Sequence, residues 1–230
     1  MAISINTVYQ RVLAILNKEQ RGYLTPVEFN LFANQAQLDI FEQYFYDLNQ
    51  FSRLPGNSTE YSDMVDILEE KISTFQKTAQ PTYSANYFVE PTDLYRLGTV
   101  IYNGSEAEHV NKNEYLYITS SPLSKPTNDF PIYTRDLGGI KIYAAAELTS
   151  NTGVTFNYVK KPVEAEWKFT TVAGEALYRA TGTVNFELHE SEETDLVIKI
   201  LQLAGVLIKD PSIYQVGSSE EAKDVQQEKA

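Results

Sequence analysis

Two histidines flanked by glutamates are the residues best placed for acid–base or metal chemistry: His109 beside Glu106 and Glu108, and His189 between Glu187 and Glu190. A zinc site would need both imidazoles to converge with a carboxylate, and the chain has no His-Glu-x-x-His spacing. Both therefore read as surface or helix-capping histidines. Asp129, Asp136 and Glu164 would supply the carboxylate pair of a glycosidase. With 31 acidic residues, however, such pairs arise by number alone. Cysteine is absent, which removes disulfides, thiolate ligands and thiol nucleophiles. Gly-x-x-x-x-Gly-Lys, Gly-x-Gly-x-x-Gly and Gly-x-Ser-x-Gly are absent too. The expectation is a protein without catalytic, cofactor-binding or metal-binding residues. The tyrosines of the midsection (Tyr87, Tyr95, Tyr102, Tyr115, Tyr117, Tyr133, Tyr143 and Tyr158) have the rings to stack on sugars or bases. Such residues more often pack a sheet or anchor an interface.

The elements that would position these residues begin with helices. A helix is predicted over residues 6–19, where Val8, Val12, Ile15 and Leu16 follow Ile5 at helical spacing and Gly22 lies beyond the end. A second helix starts at a Thr25-x-x-Glu28 capping box with Pro26 at its first position and Leu24 and Phe29 as the hydrophobic staple. It runs without glycine or proline to about residue 49. One stripe holds Phe29, Phe32, Ala33, Ala36, Ile40, Tyr44 and Leu48; a second set holds Leu31, Leu38, Phe41, Phe45 and Phe51. Two apolar faces on one helix predict burial against more than its own domain. Phe41, Tyr44, Phe45 and Tyr46 are therefore candidate interface residues. A third helix is predicted over residues 63–77.

From Pro81 the pattern alternates with period two. Strands are predicted over residues 94–102 and 107–110 across Asn103-Gly104, over 131–135 and 140–144 across Gly138-Gly139, and over 154–159, 166–171 and 183–188. A short helix is expected at 112–119. The closing helix is predicted to start with Ser191 as N-cap and to be apolar on most sides from Leu196 to Ile208, hence the most buried. The fold class is α+β: an N-terminal helical hairpin, a third helix and the C-terminal helix form a bundle, with an inserted antiparallel sheet. The divisions are residues 1–80, 81–188, 189–211 and 212–230. The last is expected to be an arm with Ile213, Tyr214 and Val216 as apolar anchors at an interface.

Charge narrows the partners. The net charge is −12, with six basic against ten acidic residues in 1–80, nine against eleven in 81–186, and four against ten in 187–230. Lys160-Lys161 is the only adjacent basic pair, so sequence-specific nucleic-acid binding is not expected. An acidic surface nevertheless tolerates DNA passing by, because repulsion prevents sticking. The opening residues lack the basic region of a signal peptide, and no apolar run reaches a membrane span, so the chain reads as soluble.

Several stretches together resemble one family. They are Thr-Val-Tyr-Gln-Arg-Val-Leu-Ala-Ile-Leu at 7–16, Leu-Thr-Pro-Val-Glu-Phe-Asn at 24–30, and Gln-Ala-Gln-Leu-Asp-Ile-Phe-Glu-Gln-Tyr-Phe at 35–45. With them go Glu-Pro-Thr-Asp-Leu-Tyr-Arg-Leu at 90–97, Tyr-Val-Lys-Lys-Pro-Val-Glu-Ala-Glu-Trp at 158–167 and the run from Phe186 to Leu201. The chain is similar to neck ring or head-to-tail connector proteins of short-tailed bacteriophages, nearest to those of crAss-like phages and more distantly to tail tubular A proteins. The resemblance implies a helical part joined to a β part. It further implies self-assembly into a multi-subunit ring that contacts the portal or neighbouring neck and tail rings, with DNA passing through the channel. Localisation would be the virion, after synthesis in the bacterial host cytoplasm, with no membrane partner. The reading from another class is a tail component that binds or cleaves glycans with the tyrosine-rich sheet.

Overall fold

A computed structural model describes residues 2–18, 24–52, 64–208 and 219. The chain is mixed α+β and divides into two compact units, Phe75–Lys161 and the two flanking stretches Met1–Thr74 and Pro162–Ala230. The described helices are α1 (Ile5–Lys18), α2 (Pro26–Phe51), α3 (Met64–Ser73), α4 (Lys112–Ser120) and α5 (Glu193–Ile208).

In the helical unit, α2 starts where the sequence places it. The Thr25 hydroxyl accepts from the Glu28 N–H at 3.3 Å, and the Glu28 carboxylate accepts from the Thr25 N–H at 3.0 Å. These two bonds satisfy donors that a helix start otherwise leaves open. α2 packs on α3 and α5, whereas α1 packs on α5 and meets α2 through the Tyr9 and Phe29 rings, 4.6 Å apart. Val8, Val12 and Leu16 of α1, Phe29, Ala33, Ala36 and Ile40 of α2, Leu68 and Ile72 of α3, and Leu196, Ile200 and Ala204 of α5 are buried. The N-cap before α5 is His189 rather than Ser191: its Nδ1 accepts the Ser191 N–H at 3.3 Å and opens a 3-10 turn, Glu190–Glu192. An imidazole nitrogen thus takes the role the sequence assigns to a hydroxyl.

The sheet unit carries β1 (Gln76–Ala79), β2 (Thr82–Ser84), β3 (Tyr87–Val89), β4 (Leu94–Tyr102), β5 (Ser105–His109), β6 (Ile132–Asp136), β7 (Gly139–Tyr143) and β8 (Val154–Lys160). Their spatial order is β1-β8-β4-β5-β6-β7-β3-β2. β1 and β2 lie at opposite edges, yet only Gln80 and Pro81 separate them in sequence. Three Cα steps span at most about 11 Å. Laid flat, eight strands would be roughly 34 Å wide. The sheet must therefore curl until its edges nearly meet. Phe88, Val100, Ala107, Tyr133, Ile140, Ile142, Val154, Phe156 and Tyr158 form its buried core.

Three details depart from the sequence expectation. The third helix ends at Ser73, and residues 76–79 are strand β1, because they pair with β8. The sheet is not wholly antiparallel: β5 and β6 are parallel, joined by the crossover that contains α4. Finally, the compact sheet unit spans 75–161 instead of 81–188, since the chain from Pro162 belongs with the helices. Residues 183–188 are not a strand and take part only in the isolated bridges Glu166↔Val184 and Ile3↔Phe186.

Asn103-Gly104 forms the expected tight hairpin, with φ of 48° and 87°. A glycine is also needed at Gly139, whose Cβ would lie 2.5 Å from the Phe88 carbonyl oxygen. The β2–β3 hairpin turns at Ala85-Asn86, also at positive φ. Alanine is a poor signal for that conformation, which is why this hairpin escapes a reading of turn residues.

Candidate assembly surfaces

α2 holds the returning chain with three carboxamides. Asn30 Oδ1 accepts the Trp167 N–H at 2.9 Å while its Nδ2 donates to the Trp167 carbonyl at 3.3 Å. Asn34 repeats the pattern with Ala165, at 2.8 and 3.0 Å. Gln37 donates to the Val163 carbonyl at 2.9 Å and accepts the Glu187 N–H at 3.2 Å. Positions i, i+4 and i+7 lie on one line of a helix, and residues 163, 165 and 167 lie on one side of an extended chain. The amides thus replace a neighbouring strand. Gln37 is only 1% exposed, so its satisfied amide is what allows that burial. Sequence reasoning passed over these residues, although three carboxamides on one line beside a buried stripe were a readable signal. The Trp167 indole donates to Asn6 Oδ1 at 3.0 Å, which ties the same segment to α1.

The second face of α2 is open. Val27, Leu31, Leu38 and Phe45 fall within about 40° of one another around the helix, along roughly 27 Å of its length. Val27 and Leu31 are exposed, Leu31 at 67%, whereas Leu38 and Phe45 are half-buried. Val172, Leu177 and Tyr178, on the hairpin of β9 (Phe169–Val172) and β10 (Glu175–Tyr178), are further exposed apolar residues of this unit. Of the candidate interface residues, Phe41 and Tyr44 are buried within the subunit and Tyr46 is 67% exposed. Phe41 meets half-buried Phe45 edge-on at 5.2 Å. The Lys71 ammonium lies 5.6 Å from the Tyr44 ring centre and pairs with buried Glu192 at 2.7 Å. The surface available for contact is therefore Phe45 and Tyr46, joined by Val27 and Leu31. Ile213, Tyr214 and Val216 lie outside the described residues.

The candidate chemical residues are placed as follows. His109 is exposed on β5, its ring 5.1 Å from that of Tyr133, and His189 caps the 3-10 turn in the other unit. Asp136 pairs with Lys112, and Asp129 and Glu164 are exposed. Among the described residues no group of three His, Cys, Asp or Glu side chains is positioned to hold a metal ion. Tyr133 and Tyr158 are buried, and Tyr115 packs on Tyr143 at 4.4 Å. The best-defined polar network joins Lys77 and Asp93 at 2.7 Å with the Tyr158 hydroxyl, which donates to Asp93 at 2.9 Å. The hydrogen bond from Lys77 holds the Asp93 carboxyl below its ordinary range, against the opposing effect of burial. Burial, followed by the bond to Asp93, pushes the Tyr158 phenol up.

The sheet unit also contains a groove of about 780 Å³ whose lining includes Gly98 and Thr99 of β4, Glu106 to His109 of β5, and Leu123 and Phe130 of the proline-rich loop. It opens where the strands fork. β8 pairs with β4 from Leu94 to Tyr102, but β5 pairs with β4 only at Val100, Ile101 and Tyr102. β5 then pairs with β6 at Ile132 and Tyr133, and the Val110 N–H continues the contact by donating to the Tyr133 carbonyl at 2.9 Å. Gly98 and Thr99 sit at an irregularity in the β4–β8 register. Leu123 and Phe130 overhang the groove, 99% and 78% exposed. No protein-family model matches the chain, and no curated protein matches it.

Proposed function

We propose that the chain is a structural virion protein: a subunit of a ring in the neck of a short-tailed bacteriophage that connects the capsid portal to the tail and forms part of the DNA conduit. The observation that carries this reading is the open apolar face of α2, with Val27 and Leu31 exposed in line with half-buried Leu38 and Phe45. Contiguous apolar surface of this kind marks a contact with another macromolecule. α1, α2, α3 and α5 act as a helical bundle that holds this face rigid for lateral contact between copies. The acidic balance of the chain suits a conduit that lets DNA pass without gripping it. The chain has no hydrolytic role in this reading, and its partners are further copies of itself, the portal and the neighbouring rings. Among the described residues no helix is long and apolar enough to cross a membrane. Of the tyrosines that the glycan reading would use, Tyr133 and Tyr158 are buried in the sheet unit, whereas Tyr117 is 76% exposed. Mass photometry of the purified protein, followed by electron microscopy of the particles, tests the proposal. A closed ring of copies is the expected result; a monomer at all concentrations, or a monomer that binds polysaccharide, overturns it.

A further inference from the structure

Resting on the ring reading, we infer that the β9–β10 hairpin of one copy docks on the open line of α2 in a second copy, with Val172 and Leu177 against Val27 and Leu31. The hairpin is a sheet of two strands only, turned at Ala173-Gly174 with φ of 53° and 90°. Its cross-strand pairs run from Phe169↔Tyr178 to Val172↔Glu175. Cross-strand partners share a face and neighbours along a strand alternate. Phe169, Thr171, Ala176 and Tyr178 therefore form one face, and Thr170, Val172, Glu175 and Leu177 form the other. The Phe169 and Tyr178 rings lie 5.9 and 5.7 Å from that of buried Trp167, which holds the first face at its base. On the second face Val172 and Leu177 are 52% and 54% exposed. A two-stranded ribbon is marginal in water until an apolar face is covered. Its own α2 does not supply that cover, since Val27 and Leu31 are 59% and 67% exposed as well.

The receiving surface is a hollow of about 430 Å³ whose lining includes Val27, Leu31 and Asn34 of α2 and Glu164 of the returning chain. From Val27 to Asn34 its helical wall runs roughly 10 Å, the length of a four-residue strand. Charge selects a second copy as the occupant. Chains of net charge −12 repel, so their contact must set a cation against an acid. The Arg179 N–H donates to the Lys168 carbonyl at 2.9 Å, which continues the strand pairing and places Arg179 on the face of Leu177. Within the hollow Glu166 is paired with Lys168, which leaves the charge of Glu164. Arg179 and Glu164 are both exposed, and among the described residues neither has an ion-pair partner. Because hairpin and hollow are different patches, each copy gives one and receives another, and such head-to-tail contacts close into rings.

The absence of native cysteine makes a disulfide test clean. Chains carrying Leu177→Cys and a mass tag are mixed at assembling concentration with chains carrying Val27→Cys or Leu31→Cys, and oxidised. At least one of the two pairings should give heterodimers on the order of tenfold above those from Leu177→Cys with Leu137→Cys, since docking holds the thiols at a high effective concentration. Leu137 is the control because it is fully exposed on the β6–β7 turn. Adding Arg179→Glu to the Leu177→Cys chain should lower the excess, and Glu164→Arg in the receiving chain should recover it. Yields at the control level from both pairings, or an excess that Arg179→Glu leaves unchanged, overturn the docking. An internal disulfide in a dilute chain carrying Leu31→Cys and Leu177→Cys overturns the second copy as occupant. So does a Leu31→Cys thiol shielded from maleimide in the dilute monomer, because the hollow is then filled by its own chain. Mass photometry of the same samples separates the two readings: rings without the cross-link sink this inference alone, and monomers without it sink both.

Discussion

At the scale of single residues, the chain uses polar groups to fasten segments rather than to do chemistry. Asn34 shows this best, because its amide both donates to and accepts from Ala165. Asn34→Ala would leave a peptide group without its partners, and unmet groups of this kind cost about 1–3 kcal/mol each. We expect the helical unit to lose roughly 2 kcal/mol, read by urea unfolding of Trp167, the single tryptophan of the chain. Asn34→Asp should also destabilise, since a carboxylate accepts the N–H but cannot donate to the carbonyl. Stability equal to that of the parent in both variants would refute the clamp. Asp93 sets a pH dependence. Its folded pKa is depressed by Lys77, so its contribution is complete above the unfolded value near 3.9 and is lost as pH falls through the folded value. Asp93→Asn lacks this term. Denaturation monitored by tyrosine near-ultraviolet circular dichroism should show the parent more stable at neutral pH, with the difference shrinking below about pH 4.

At the scale of elements, α2 has two jobs on opposite sides. Its buried stripe, Phe29, Ala33, Ala36 and Ile40, packs the helical unit, and the open line through Leu31 is left for a partner. A charge placed on the open line should leave folding nearly intact and damage assembly. We expect Leu31→Asp to unfold within about 0.5 kcal/mol of the parent, as exposed positions usually do, while shifting mass-photometry distributions toward monomer. The same substitution at buried Ala36 should unfold the unit. Normal rings from Leu31→Asp would exclude this face from the subunit contact. The α2 start gives a separate check on local structure. Thr25→Ala removes the cap, which should cost about 1 kcal/mol without changing assembly at saturating protein concentration.

At the scale of the whole molecule, the two units have separate sets of side chains in their interiors. The sheet unit is continuous in sequence from Phe75 to Lys161 and is filled by its own apolar cluster. Residues 75–161 expressed alone should therefore fold with a cooperative thermal transition. Within that fragment, Phe156→Ala should cost about 3–5 kcal/mol, because Phe156 is fully buried. A fragment that shows no cooperative transition would mean that this core is insufficient without the rest of the chain.

The sequence by itself determined what local physics can decide. Its capping box starts α2, Asn103-Gly104 turns β4 into β5, and apolar periodicity marks the buried faces of α1 and α2. Each of these signals involves residues close together in the chain, where backbone conformation and capping compete only with their neighbours. Tertiary structure decided the rest. Residues 76–79 continue a helical pattern until β8 offers them strand partners, and residues 163–167 are fastened by Asn30, Asn34 and Gln37 of a helix instead of by a neighbouring strand. The candidate interface was divided the same way. Phe41 and Tyr46 look alike as aromatic positions of one helix, yet tertiary packing buries the first and leaves the second exposed. Curling of the sheet depends on pairings between distant strands, whose register is set by side chains that meet only once the chain has folded.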